Sequence, residues 1–528
     1  MTSIKPSDPI TITGVGLGLP GPKKDIFAQD NIDQLLNGKN FISQVGKQKI
    51  AFQQRQNIIQ KRRNGGEIMF KNLTQESDLV RLAGEAGKFN LVEEYHVGSG
   101  LIDAWEITTQ LAIAAGLEAL KDARIPLIRR DGRLSLPDDM VDDTGIIFAS
   151  TFPAANTFLE EQSKFYQHVN SLDKRKFARK LCQRLGDSAS SIIEELLEEE
   201  DEYQFDRKYL LKAIPIQSGN FAQIINARGP NTGINSACAS TTQAIAIASD
   251  WIKLGRCKRV IVVAADDPTN ETTFHWIATG FLAAGAATTQ LEIEQAARPF
   301  DKYRSGMILG MGAVGLVIEA DSETAKRGVN PIADIMGSYF ANSAYHGTKM
   351  NPEHVKQCFK TFMKKMTTQY QLTVADIAQS CLYMSHETFT PPKGNAAKTE
   401  IEALSSVFEE HLNEIIISNT KGLTAHPMGV SFEDVATVKA LELGKIPPVV
   451  NLENPEFENI RFSRGENQLV DYAIRFAAGF GSQLVYILLK NRKYPQRTTD
   501  KYLSWIEAIN PMGTELMGKT LVIDPVPH

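Results

Sequence analysis

The sequence predicts an α/β protein built around buried sheet. Three observations predict it. Short Val/Ile-rich runs recur along the chain with helical segments between them, the pattern of strands covered on both faces. Residue types that carry chemistry collect in loops directly after such runs, where open α/β sheets place their sites. The length of 528 residues exceeds one ordinary hydrophobic core, so two core-sized halves are expected.

The strand candidates are 10–13, 145–149, 259–264 and 315–318, followed by 332–338, 382–384, 414–418 and 484–489. Residues 105–120, rich in Ala and Leu, read as an amphipathic helix. Residues 40–95 are polar and read as an irregular excursion. Residues 158–211 are highly charged. Within them 192–202 reads as an acidic helix followed by Asp206-Arg207-Lys208, so the segment is expected to be a helical insertion. Surface decoration is the favoured reading of it, ahead of partner docking. Residues 491–528 follow the last strand candidate as a tail. No internal repeat is visible in the sequence.

Apolar residues make up 42% and charged residues 23% of the chain, the balance of a soluble globular protein. The net charge is −5, with no domain-wide basic excess, which argues against nucleic-acid binding. Lys61-Arg62-Arg63 and Lys174-Arg175-Lys176 read as solvated faces. The five Cys residues (Cys182, Cys238, Cys257, Cys358, Cys381) are an odd number without paired spacing. Reduced thiols and a cytoplasmic location are expected, and no zinc pattern is formed. The first six residues lack an apolar signal core, and no apolar run reaches about 18 residues, so no membrane span is expected.

Cys238 lies in Asn235-Ser236-Ala237-Cys238-Ala239-Ser240, just before the small-residue stretch 243–248. That reads as a turn leading into a buried helix. The unpaired N–H groups and positive dipole of a helix start favour thiolate over thiol. Free Cys is also a common packing residue, so the motif alone leaves both readings open. Two downstream loops weigh against simple packing. Ser385-His386-Glu387-Thr388-Phe389-Thr390 follows the run 377–383, and Asn419-Thr420-Lys421-Gly422-Leu423-Thr424-Ala425-His426 follows 414–417. The other seven His residues read as surface groups.

These segments resemble the β-ketoacyl synthases (ketosynthases) of fatty-acid and polyketide synthesis. Ile10-Thr11-Ile12-Thr13-Gly14-Val15-Gly16 resembles the family's opening strand and glycine turn. Ser236-Ala237-Cys238-Ala239-Ser240 resembles its nucleophile motif. Arg298-Pro299-Phe300-Asp301-Lys302-Tyr303-Arg304-Ser305-Gly306 resembles the loop joining its halves. His386 with Thr388 and Thr390 resembles the first-His motif, and Asn419-Thr420-Lys421 with His426 the Lys-to-second-His motif. Gly479-Phe480-Gly481 resembles the closing glycine–aromatic turn. All six occur in the family's order over residues 8–490.

The resemblance implies a thiolase-like duplicated αβαβα layered fold with helical insertions. Its halves would be 1–300, carrying the nucleophile, and 301–490, carrying both His motifs. It implies a decarboxylative Claisen condensation through an acyl-Cys238 intermediate. The amides of Cys238 and Phe480 would hold the oxyanion, with Phe480 also in a gating position. His386 and His426 would donate to the enolate oxygen, while Lys421 orients His386 or balances carboxylate charge. Thr388, Thr390, Gly479 and Gly481 would line the substrate path. No metal and no cofactor are implied beyond the phosphopantetheine that arrives on the acyl carrier protein. The implied partners are that carrier, a second copy in a homodimer, and other synthase domains or modules. Carrier docking is the lesser reading of the basic clusters, because acyl carriers are acidic. Trp505 and residues 521–527 resemble a linker leaving a ketosynthase in a multidomain enzyme.

The chain also departs from the family pattern. Glu387 replaces the usual Gly and would either raise the pKa of His386 or face solvent. Ser305 stands where the family has Asp, Met307 where it has Phe, Met311 where it often has Glu, Ala478 where it often has Phe, and Ser482 where it has Gly. The acidic residue after the second His is displaced to Glu433 or Asp434. A non-elongating, carrier-binding gatekeeper is the alternative. A thiolase ranks low, because the last Cys, Cys381, lies well upstream of the chain end.

Overall fold

The computed structural model describes residues 8–64, 67–130, 132–185, 203–391, 396–509 and 515–523. The acidic stretch 192–202 and the side chains of Lys61, Arg62 and Arg63 lie outside the described residues. In chain order the first half contributes β1 (Ile10–Gly18), α1 (Lys47–Arg55), β2 (Ile59–Asn64), β3 (Glu67–Asn72), α2 (Ile107–Asp122), β4 (Leu127–Arg130), β5 (Thr144–Ala149), α3 (Ala155–Leu185), α4 (Gln217–Ile225), β6 (Asn231–Ile234), α5 (Ser240–Lys253), β7 (Arg259–Asp266), α6 (Glu271–Ala283) and β8 (Gly312–Ala320). The second contributes β9 (Ala333–Asn342), α7 (Pro352–Tyr370), β10 (Cys381–Met384), α8 (Ala396–Phe408), β11 (Ile416–Ser418), α9 (Phe432–Leu443), β12 (Tyr472–Gly479) and β13 (Gln483–Asn491), and the tail adds α10 (Asp500–Ile509) and β14 (Thr520–Ile523).

The strand order across the sheet is β11-β10-β12-β13-β9-β1-β8-β7-β5-β6. It divides between β9 and β1, which share only a two-residue register, into two five-strand sets with the same topology. In each set the second strand lies between the third and the fourth, parallel to both. The fourth and fifth are antiparallel, and the fifth pairs antiparallel with the first. The duplication invisible in the sequence is therefore explicit in the pairing. Because β8 belongs to the first set, the joint between halves falls at the connection 321–332, not at residue 300 as the sequence suggested.

Helices α5 and α9 lie between the two sets and touch strands of both. They bury Ala244, Ile245, Ala248, Val435, Ala436 and Val438 in one apolar core with β1, β7 and β13. Helix α2 covers the outer face of the first set, and α7 with α8 that of the second. The layering is αβαβα, and the fold class expected from the resemblance is the one observed.

Three further expectations are corrected. Gly14 and Gly16 lie inside β1, not in a turn. A Cβ on Gly16 would sit 2.2 Å from the Ala115 carbonyl, so the absent side chain lets α2 press onto the strand. Helix α2 is buried on nearly every face rather than amphipathic, because α4 and the tail strand β14 close its outer side. The excursion 40–95 is not irregular, since it holds α1 and the β2–β3 hairpin. Strands β6 and β12 were missed. No helix among the described residues is long and apolar enough to cross a membrane.

Candidate active site

The strand-to-helix connection after β6 builds the first part of the site. Ala237 is held at φ 49°, a conformation that costs an L-residue energy and is kept only when neighbours impose it. Here Ser240 Oγ accepts from Ser236 N–H at 2.8 Å and donates to the Ala237 carbonyl at 2.6 Å. Asn235 Oδ1 accepts from Ala237 N–H at 3.0 Å. Cys238 follows, two residues before α5, and its thiol is almost wholly buried. Burial pushes it up to about 12; the Lys421 charge and the N–H groups of Cys238 and Phe480, which face the sulfur, pull the other way. The thiolate expected from a helix start is thus overruled by desolvation, and the resting residue is a thiol.

Phe480 reaches this point because the closing turn approaches so tightly. A Cβ on Gly479 would lie 2.3 Å from the Ser236 carbonyl and 3.2 Å from Cys238 N. Gly479→Ala is expected to displace the Cys238 turn and slow covalent labelling of its thiol about 100-fold, the scale of an ångström-sized misplacement, as single-turnover labelling would measure. The Phe480 ring is 43% exposed and packs 5.8 Å from the Phe281 ring of α6. Gly481 (φ 76°) and Ser482 (φ 64°) complete the turn in the left-handed region, which accounts for the family's preference for Gly at 482. Ser482 Oγ accepts from the His346 amide at 3.1 Å.

His386 follows β10 by two residues, as expected of a strand-end loop, whereas His426 is separated from β11 by the short helix Lys421–Thr424 and bridges to Leu309. Their rings meet edge to face with centroids 6.0 Å apart. Both are buried. Desolvation first, then the Lys421 charge, holds His386 well below the ordinary imidazole range and His426 at about 3. Both are neutral at pH 7. Among the described residues, His386 Nδ1 and both ring nitrogens of His426 have no hydrogen-bond partner. Buried polar atoms without partners are rare, and these three are open to a hydrogen bond from outside the chain.

Lys421 Nζ pairs with Glu433 Oε1 at 3.0 Å, and burial lowers the lysine pKa. Glu433 stays ionised at about 2, because Lys421 and Arg475 outweigh its desolvation. Arg475 of β12 pairs with Asp434 Oδ1 at 3.2 Å and donates to the Met384 carbonyl at 3.2 Å, which ties the His386 strand to α9. Asp266 at the end of β7 accepts from Ser150 Oγ (2.6 Å), Phe152 N–H (3.1 Å) and Gly429 N–H (2.8 Å), joining the loop after His426 to the first half. Glu400 of α8 accepts from Ser385 Oγ (2.7 Å) and His386 N–H (3.2 Å). The sequence reading missed Arg475, Asp266 and Glu400. Unpaired buried charge is costly, so each buried carboxylate opposite these loops needed a partner, but no motif names it.

Glu387 neither faces solvent nor raises the pKa of His386. It is fully buried and lies 3.2 Å from Arg304 Nε. Arg304 also meets Glu456 at 2.5 Å and donates to the Asp301 carbonyl at 2.8 Å and the Thr390 carbonyl at 3.2 Å. The family's loop carboxylate is absent at Ser305, which instead hydrogen-bonds Thr288 Oγ1 at 2.6 Å. Thr388 is buried and Thr390 half-buried on the same loop. Met307 packs in the apolar cluster that contains Cys238. Two cavities, of about 530 Å³ beside His96 and Asn226 and about 630 Å³ beside Glu456 and Asn459, lie away from Cys238.

The family profile "Beta-ketoacyl synthase, N-terminal domain" matches residues 103–324, and "Beta-ketoacyl synthase, C-terminal domain" matches residues 332–453. Together they match more than half of the chain. A protein named 3-oxoacyl-[acyl-carrier-protein] synthase 2 from Staphylococcus aureus (strain N315) is 26% identical over 417 residues, covering 78% of this chain and 87% of the relative. A protein of the same name from Coxiella burnetii (strain RSA 493 / Nine Mile phase I) is 32% identical over 248 residues, covering 46% of this chain and 56% of the relative. Among solved structures, a β-ketoacyl synthase from Burkholderia phymatum STM815 aligns with a TM-score of 0.66 at 17% identity, covering 92% of this chain and 100% of that one. A type II PKS ketosynthase, in complex with its acyl-carrier protein and bound to the hexaketide, aligns with a TM-score of 0.65 at 18% identity, over 92% of this chain and 99% of that one.

Proposed function

This chain belongs to the β-ketoacyl synthase family, and on that premise we propose that it condenses a carrier-bound acyl thioester with a malonyl-type extender through an acyl-Cys238 intermediate. One observation supports the assignment of roles: two neutral imidazoles pack edge to face, and the loop after the second closes on the Cys238 helix, where the Gly429 carbonyl accepts from Thr241 Oγ1 at 2.7 Å and Met428 shares an apolar cluster with a buried thiol whose sulfur faces two backbone N–H groups.

Cys238 Sγ attacks the thioester carbonyl, and the N–H groups of Cys238 and Phe480 receive the developing oxyanion. The pantetheine sulfur leaves and takes the thiol proton, so the exchange is neutral overall. This suits a thiol held protonated until the thioester arrives. The malonyl-type group then loses CO2, and the C–C bond electrons pass to an enolate oxygen. His386 and His426 donate hydrogen bonds to that oxygen. Being neutral, they do so without carrying a buried positive charge. The carbanion attacks the acyl-Cys238 carbonyl, and the Cys238 thiolate departs and regains a proton from solvent. Lys421 balances Glu433 and supplies positive potential to the site. Thr388, Thr390, Gly479 and Gly481 border the path of the arm.

No cofactor of the protein's own is needed, since phosphopantetheine comes with the acyl carrier protein. The resting place for a second copy is the sheet edge at β6, whose residues alternate between exposed and half-exposed and whose open hydrogen-bonding edge leads straight into the nucleophile turn. Other synthase domains or modules are further partners of this reading.

Intact-protein mass after incubation with acyl thioesters is expected to show one acyl adduct, and addition of malonyl carrier is expected to give a β-ketoacyl product. An adduct without product would instead support the non-elongating reading. His426→Ala is expected to keep the adduct but lower product formation about 100- to 1,000-fold, the loss seen when one preorganised donor is removed.

A further inference from the structure

The polar excursion before β4 is built into the site rather than laid on its surface. Two glutamines on it, Gln53 and Gln60, are buried, and a third, Gln56, is half-buried. Gln53 bonds both the Val80 carbonyl (3.0 Å) and the Val80 N–H (3.1 Å) through its side-chain amide. Gln56 Nε2 donates to the His275 carbonyl of α6 at 3.1 Å, and its Oε1 accepts from Thr279 Oγ1. Gln60 Nε2 donates at 2.8 Å to the Leu282 carbonyl in the last turn of α6, which also accepts from Gly285 N–H at 3.0 Å. The Phe52 ring stacks on His275 with centroids 3.7 Å apart, and Lys49 Nζ donates to the Thr269 carbonyl at 2.6 Å, just before α6 begins. The excursion therefore grips α6 along its length.

Helix α6 carries Phe281, the aromatic that packs on Phe480. The same excursion supplies Val45, Ile58, Leu73, Leu79 and Val80 to the apolar cluster that contains Cys238, Phe281, Met307 and Met428. Cys238 is itself a member of that cluster, so an acyl group on Sγ would start out from it.

We propose that Val45, Ile58, Leu73, Leu79 and Val80 of the excursion form the size-selecting wall for an acyl group on Cys238, with Ile58 and Leu73 setting the bulk accepted there and Gln56 and Gln60 fixing α6, and through it Phe281, against that wall. The inference rests on the acyl-Cys238 reading and deepens it. It assigns the substrate limit to a segment that carries none of the family motifs and that reads from sequence as surface. Ile58→Ala and Leu73→Ala enlarge the chamber by removing buried methyl and methylene groups. One methylene in an apolar pocket discriminates between substrates by about 10- to 200-fold.

The test is the rate of acyl-adduct formation on the full chain across straight-chain acyl thioesters of increasing length, for wild type, Ile58→Ala, Leu73→Ala and the milder Ile58→Val. The expected result is a rise of at least about 10-fold in the ratio of long-chain to short-chain labelling for the alanine variants, with a smaller rise in the same direction for Ile58→Val. A uniform fall at all lengths, or an unchanged ratio, would overturn the inference, because a purely structural role lowers every donor alike. If the alanine variants do not fold, the Ile58→Val ratio decides. Absence of an adduct on wild type at any length would overturn the acyl-Cys238 reading itself. An adduct with an unchanged profile would overturn only the wall.

Discussion

Replacing Cys238 by alanine is expected to abolish the acyl adduct and to lower β-ketoacyl product formation about 10⁶-fold, the scale observed when a covalent nucleophile is deleted. The fold should survive, because the change removes one buried sulfur and leaves the φ 49° turn at Ala237, the Ser240 hydrogen bonds and Gly479 in place. The stability cost is expected to be no more than about 2 kcal/mol. Decarboxylation is expected to behave differently. In the proposed mechanism its enolate forms beside His386 and His426, whose neutrality stems from burial and the Lys421 charge and not from the thiol. CO2 release from malonyl carrier should persist in the variant while carbon–carbon bond formation stops. Product and CO2 assays on one sample separate the two outcomes. Condensation retained by Cys238→Ala would sink the proposed mechanism, and loss of both activities would place the thiol in malonyl binding as well.

How much of this was legible in the sequence depends on whether a residue's role is local. Cys238 and His386 stand out in the sequence because each sits in a loop directly after a strand, where such folds gather function, while His426 stands out by its spacing from Lys421 and follows the short helix Lys421–Thr424. Residues whose role is set across the fold were not. Arg475 interrupts the apolar run of β12, which hid the strand, yet it is buried against Asp434 and the Met384 carbonyl. Strand β6, Asn-Thr-Gly-Ile, has no apolar alternation to betray it. The excursion misled because glutamine reads as solvent-facing, while Gln53, Gln56 and Gln60 spend their amides on backbone groups of neighbouring segments. The thiol misled in the opposite direction. A helix-start field is a local feature, but desolvation by the surrounding cluster is not, and desolvation wins.

The stability of the first half is expected to depend on Glu319 more than on any site residue. Glu319 is fully buried on β8 between two guanidiniums that are themselves buried. Its carboxylate takes Arg327 at 2.7 and 2.8 Å, Thr13 Oγ1 at 2.7 Å, and Arg259 Nε. Arg327 also lies over the Trp505 ring at 5.8 Å, so the network reaches the tail helix α10. Glu319→Gln would leave two buried cations facing a neutral amide whose NH2 can only donate. Breaking a buried pair in this way costs about 3–5 kcal/mol. The pH dependence has a defined sign. Burial alone would raise the carboxyl, but Arg259 and Arg327 hold it at about 2, against 4.5 for the free group. A depressed folded-state pKa contributes stability above the unfolded value and loses it as pH falls toward the folded one, here about 3 kcal/mol at pH 7 and less than half of that near pH 3. Urea unfolding of wild type and Glu319→Gln is therefore expected to differ most above about pH 5 and to converge toward pH 3. A gap that stays constant across this range would mean that the lost contribution is packing and hydrogen bonding. A gap below about 1 kcal/mol at pH 7 would mean that the two arginines find water or other partners once the carboxylate is gone.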